Sequence, residues 1–268
     1  MLISHALLVP HLPTLLVDEH RGHRTPMLEA LREQALRLQA ERPEILVVLS
    51  ARWDSDGTFR VDVGRRHRTL TDYPGLGVEV RYDCPGHPRL ARALVRAGGE
   101  AGVHVGATER GVDSGVTVPL HFLLPRAVFP VVPLSLARRS VGECRAWGAV
   151  IRRALHDRPE RAALVVGGVL SHAIHAWNFK REVPEARAFD EHALRALSSG
   201  AWDDLQTADP GLVERAQPEA GLRHLEVLRG FLSGDRPGQV RCYEGEHGIG
   251  AALVEFETAE VAASVDPP

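Results

Sequence analysis

Glu44-Ile45-Leu46-Val47-Val48-Leu49-Ser50-Ala51-Arg52-Trp53-Asp54 decides the fold. From Ile45 to Leu49 every side chain is apolar, so a strand over Glu44 to Ser50 has no face to offer water and must be covered on both sides. Strands of that kind belong to mostly parallel sheets with helices above and below. Pro43 closes the helical stretch before it, and the segment Ala51 to Asp54 stands where the strand leaves the sheet. Open α/β sheets gather ligand residues at such C-terminal strand ends.

The same reading extends outward. Leu2 to Val9 is a second buried strand that stops at Pro10 and leaves His11 on the turn, and Ala162 to Val169 is a third, running into Leu170-Ser171-His172. Helical spacing of Met27, Leu28, Leu31, Ala35 and Leu38 predicts a helix from Arg24 to Arg42. Further helices are expected from Pro88 to Gly102, from the Ser140/Glu143 capping box to His156, from Asp190 to Leu197, after Asp209-Pro210, and along Leu222, Leu225, Leu228 and Phe231. Thr58 to Val63 and Val78 to Tyr82 alternate apolar and polar residues across Asp72-Tyr73-Pro74-Gly75, which predicts an antiparallel edge pair. A loop is expected over Arg110 to Gly115, ahead of Val118-Pro119-Leu120-His121, with strands over Val128 to Leu134, Gln239 to Glu244 and Gly250 to Phe256. The expectation is an α/β fold, a three-layer sandwich with a mixed, mostly parallel central sheet, in one domain over residues 1–257 with a tail over 258–268.

Composition narrows the function classes. The 268 residues are 44% apolar and 25% charged with a net charge of −3, ordinary for a globular chain and without the basic excess of a nucleic-acid binder. Lys180 is the single lysine, and nothing functional follows from that. The cysteines, Cys84, Cys144 and Cys242, lack CxxC spacing, so neither a disulfide framework nor a zinc knuckle is indicated. No apolar run approaches the ~20 residues of a membrane span, and the first residues carry no export signature, so the expected location is cytoplasmic. The expected partners are small molecules and other subunits, a homodimer being the commonest assembly.

Three stretches carry candidate chemistry: Val9-Pro10-His11-Leu12-Pro13, Gly168-Val169-Leu170-Ser171-His172 and Tyr243-Glu244. Two imidazoles and one carboxylate on one face of Fe(II) leave positions open for oxygen and substrate. His11 and Glu244 have the donor chemistry for two such ligands. His172 titrates near neutrality and suits a general acid or base. Any single histidine among 14 is more often structural, and His172 with His175 also reads as a hydrated helical pair. Gly245, Gly248 and Gly250 read as a turn or bulge, because no helix follows to favour phosphate.

His11-Leu12-Pro13, Ser50-Ala51-Arg52-Trp53, Gly111-Val112-Asp113-Ser114-Gly115, Val118-Pro119-Leu120, Leu170-Ser171-His172, Phe189-Asp190 and Glu244 occur in an order that resembles the class III extradiol ring-cleavage dioxygenases. The resemblance spans nearly the whole chain. It implies a non-haem Fe(II) enzyme that opens aromatic diols with O₂, with His11 and Glu244 as iron ligands and His172 as the acid–base residue. Pro13 and Asp113 would shape the site.

Two positions depart from the pattern. Arg52 stands where the family usually has its second iron-binding histidine, and Ser114 where it has the histidine of Gly-x-Asp-His-Gly. A guanidinium stays protonated and has no lone pair for a metal. Beside a dication it adds a repulsion of ~4 kcal/mol per unit-charge pair at about 4 Å and an effective dielectric of about 20. One reading therefore puts Arg52 in place of the metal, paired with Glu244, in a non-catalytic subunit or binding protein that needs no cofactor and pairs with itself or a homologous subunit. Another keeps dioxygenase activity with a substitute ligand from His5, Asp54 or His121. A third is a metal-dependent hydrolase on the same scaffold.

Overall fold

The computed structural model describes residues 5–258. The chain runs β1 (His5–Val9), α1 (Thr14–His20), α2 (Pro26–Ala40), β2 (Ile45–Ser55), β3 (Phe59–Asp62), β4 (Arg66–His67), β5 (Cys84–Pro85), α3 (Pro88–Glu100) and β6 (Val105–Thr108). It continues with α4 (Ser114–Leu123), β7 (Val131–Ala137), α5 (Val141–His156), β8 (Ala162–Gly167), α6 (Ile174–Asn178), α7 (Pro184–Ser199), α8 (Pro210–Ala216), α9 (Arg223–Leu232), β9 (Gly238–Glu246) and β10 (Ile249–Glu257). The expected start of β1 at Leu2 and the tail beyond Thr258 lie outside the described residues. No helix among the described residues is long and apolar enough to cross a membrane.

Eight strands form one sheet in the order β6-β3-β7-β2-β8-β1-β10-β9. The pairs β2–β7, β2–β8, β1–β8 and β3–β6 are parallel, whereas β3–β7, β1–β10 and β9–β10 are antiparallel. The apolar run of β2 explains the layers. Ile45, Val47 and Leu49 pack with residues of α3, α5, α7 and α9, while Leu46 and Val48 pack on the opposite face with α1, α2 and α4. Period-2 alternation sends neighbours to opposite faces, and both faces are apolar because both are covered.

The expected antiparallel edge pair is not formed. β3 lies parallel to β6 instead, and Val78 to Tyr82 is irregular. Side chains take its backbone donors: Val80 N–H donates to Tyr73 Oη at 3.3 Å and Tyr82 N–H to Thr69 Oγ1 at 2.7 Å. A loop anchored by the buried Tyr73 and Tyr82 thus imitates strand alternation.

The expected loop over Arg110 to Gly115 gives up only its last two residues, Ser114 and Gly115, to the first turn of helix α4, which continues through Val118-Pro119-Leu120-His121. Asp113 caps it by accepting from Gly115 N–H at 3.1 Å, and its first turn lies directly on the sheet. A Cβ on Gly167 would stand 1.8 Å from Gly115 O, and one on Gly115 would stand 2.0 Å from Ser50 Oγ. Only glycine permits that approach. Pro119 has no N–H to offer the Gly115 carbonyl four residues earlier, so the proline that disguised the helix removes a bond at a carbonyl already pressed against β8.

Candidate ligand cavity at the strand ends

Since β2, β8 and β1 are adjacent and parallel, the turns after them emerge side by side. The turns after β8 and β1 carry the segment Gly168–His172 and His11, while Arg52 lies inside β2, where the pairing with β7 breaks register between Ser50 and Asp54 before the strand goes on to Ser55. A cavity of about 280 Å³ opens there, with His11, Arg52 and His172 in its wall beside Asp72, Ser114 and Trp177. Pro13, at the start of α1, also faces it.

The carboxylate that meets His11 is Glu219, not Glu244. His11 Nε2 lies 2.8 Å from Glu219 Oε1 and 3.0 Å from Oε2, and Glu219 Oε2 accepts from Val169 N–H at 2.8 Å. Both residues are buried. Burial alone would lower the His11 pKa, but the charge and hydrogen bond of Glu219 outweigh it and raise the value. Burial would raise Glu219, and the charge and hydrogen bond of His11 outweigh that too, holding the carboxyl at about 2. The two form a charged pair.

Glu219 sits on a turn that sequence pattern does not foresee. It follows Pro218 and precedes Ala220, Gly221 and Leu222, which all have positive φ (49°, 58° and 58°). Its own N–H donates to Leu170 O at 2.9 Å, tying the turn to the β8 loop. An acidic residue between two helices, 208 positions from His11, offers no periodic cue.

His224 lies next to this pair with its ring wholly buried and neither ring nitrogen hydrogen-bonded to a described residue. Burial depresses its pKa to about 4, against the pull of Glu219. A Cβ on Gly168 would come within 2.7 Å of the ring, so the glycine after β8 makes room for it. His172 is depressed as well, chiefly by burial, with Glu219 opposing and His11 and Arg52 adding their positive charge. A neutral imidazole in the cavity wall both accepts and donates a proton.

The other expected site residues are placed as follows. Arg52 lies at the cavity with Nε 3.5 Å from Asp72 Oδ2, so its pairing with Glu244 does not form. Asp72 also accepts from Ser114 N–H at 3.0 Å and Oγ at 2.8 Å, which anchors Arg52 and Ser114 to one carboxylate. Asp113 is buried beneath the cavity, accepting from Ser50 Oγ and pairing with Arg110 Nη1, both at 2.7 Å. Glu244 Oε1 accepts from Met27 N–H at 2.9 Å at the start of α2, and lines a neighbouring cavity. The position of β9 outside β10 puts it one strand too far out. Of the substitute ligands, His5 pairs with Glu41 at 2.7 Å, His121 with Glu19 at 2.6 Å, and Asp54 with Arg138 and Arg223.

This donor set does not fit the iron centre that the resemblance implies. Among the described residues no three histidine, cysteine, aspartate or glutamate side chains converge on a point where a metal would be held. His11 Nε2 is engaged by Glu219, Glu244 by α2, and Arg52 has no lone pair.

Residues 5–255 match the family described as the catalytic LigB subunit of aromatic ring-opening dioxygenase. Relatives include a 4,5-DOPA dioxygenase extradiol of Beta vulgaris, 26% identical over 203 residues that make up 72% of either chain. The 4,5-DOPA dioxygenase extradiol of Escherichia coli (strain K12) is 29% identical over 238 residues, 81% of this chain and 85% of that one. Among solved structures, that of the uncharacterized protein JW3007 from Escherichia coli K12 superposes with a TM-score of 0.71 at 20% identity, over 94% of this chain and 99% of that one.

Proposed function

Because the chain belongs to the family of catalytic LigB subunits of aromatic ring-opening dioxygenases, we propose that its strand-end cavity receives a small hydroxylated aromatic compound and holds it without iron, as a binding member of that family. The observation that carries the reading is Arg52: a permanent cation occupies the cavity wall with His11 and His172, where the family resemblance calls for a metal ligand. A guanidinium presents several N–H donors in a fixed fork and pairs with phenolate or carboxylate oxygens. Its partner Asp72 is 3.5 Å away and shared with Ser114, which leaves donor capacity for a ligand.

The rest of the wall supports an aromatic guest. Trp177, Tyr73 and Ile174 give apolar surface, and His172, neutral at physiological pH, takes or gives the proton of a phenolic hydroxyl. The His11–Glu219 pair contributes a rigid polar floor with no net charge.

A second reading retains ring-opening activity with O₂ on a rearranged Fe(II) donor set. The unpartnered nitrogens of His224 favour it, together with the dioxygenase relatives. Calorimetric titration with catechol in the presence of a chelator separates the two, alongside oxygen-electrode measurements with added Fe(II). The binding reading expects saturable binding that the chelator leaves intact and no oxygen uptake. Iron-dependent oxygen consumption would overturn it.

A further inference from the structure

Asp190 lies outside the cavity wall, yet both of its carboxylate oxygens are spent on the residue before His172. Oδ1 accepts from Ser171 N–H at 2.8 Å and Oδ2 from Ser171 Oγ at 2.7 Å. Oδ2 also accepts from Tyr243 Oη at 2.9 Å. Asp190 and Ser171 are both buried. We propose that Asp190 is the positioning residue of the cavity: by gripping Ser171 through backbone and side chain together, it sets where the His172 ring stands relative to a bound ligand. The inference rests on the cavity reading above.

The surrounding geometry shows why this grip acts on His172. Leu170 to His172 runs beside the start of β10, with Leu170 N–H donating to Gly250 O at 2.8 Å and Gly250 N–H to Ser171 O at 3.1 Å. His172 bridges Ile249. Gly250 has no side chain because Asp190 occupies that space: a Cβ there would stand 2.0 Å from Oδ2. The carboxylate is thus wedged between α7, β9 and β10 and reaches the β8 loop. Its two bonds to one residue fix that residue's rotation as well as its place. Removing them strands a buried N–H and hydroxyl, and the short segment has no spare partner for either. Burial raises the acid to about 6 against the pull of its three hydrogen-bond donors, and the grip itself is geometric: an acceptor oxygen held against Ser171 N–H.

Asp190→Ala and Asp190→Asn in the full chain provide the test, with ¹⁵N-histidine labelling and the His172 ring signals assigned by their loss in His172→Asn. Asp190→Ala should shift and broaden the His172 ring signals and lower catechol affinity about tenfold. Asp190→Asn keeps an acceptor for Ser171 N–H and should restore both to within about twofold of the parent. A folded Asp190→Ala protein with parental His172 signals overturns the proposal. Should that variant fail to fold, Ser171→Ala, which loses only the Oγ bond, should move the same signals in the same direction by less, and no movement overturns the proposal. The ring signals need no ligand, so failure of the parent chain to bind catechol would count against the cavity reading alone.

Discussion

His11 and Glu219, 208 positions apart, close on each other as a buried pair, with the imidazole Nε2 forked between both carboxylate oxygens at 2.8 Å and 3.0 Å. The turn after the first strand and the turn before α9 are thereby fastened under the cavity.

Glu219→Gln should cost about 3–5 kcal/mol in urea unfolding, because it leaves a buried imidazolium or forces its deprotonation. The pH dependence follows from the two shifts. Glu219 is depressed from 4.5, so its contribution is present above that value and is lost as the pH falls toward about 2. His11 is raised from 6.5, so its contribution is present below that value and is lost as the pH rises through the raised pKa. The stability difference between parent and variant should therefore peak between pH 4.5 and 6.5.

His224 should impose acid sensitivity. Its folded pKa of about 4 lies below 6.5, so the unfolded chain binds the extra proton and stability declines as the pH falls between the two values. His224→Phe retains a ring of similar shape and removes nitrogens that have no partner, and should flatten that decline at little cost at pH 7. Melting temperatures from pH 7 to 4 measure it.

Arg52→Ala should separate binding from stability. The Arg52–Asp72 pair is partly exposed and 3.5 Å long, so unfolding free energy should change by less than about 1 kcal/mol. Loss of a charge-assisted contact with the ligand should weaken catechol affinity by about tenfold, or about 1.4 kcal/mol, in a calorimetric titration.

Gly167→Ala should be severely destabilising, by about 3 kcal/mol or more in urea unfolding, since the new methyl would overlap Gly115 O at 1.8 Å, a backbone atom unable to turn aside.

Particular residues show what sequence carries and what it leaves to the fold. The double-faced runs Ile45–Leu49 and Ala162–Val166 announced β2 and β8, and the Ser140/Glu143 box announced α5, because hydrophobic period and capping are local. Helix α7 begins at Pro184 rather than Asp190, since Asp190 faces inward to Ser171 instead of capping. In the cavity, His11 and His172 were legible because each follows a strand, and Arg52 because it follows the apolar run of β2, at the register break between Ser50 and Asp54. Glu219 was not, because its place depends on a left-handed run at Ala220 to Leu222 and on a partner from the other end of the chain. Glu244 has the right residue type at a strand end, but sheet order decides which strand ends share a cavity, and β9 lies outside β10.

The most direct measurement is a crystal structure of freshly purified protein soaked with catechol, with anomalous data collected across the iron edge. The account predicts the aromatic ring in the cavity with a hydroxyl oxygen on Arg52, and no anomalous peak beside it. A peak about 2.0–2.2 Å from a nitrogen of His11 or His224 and from an oxygen of Glu219 would contradict it.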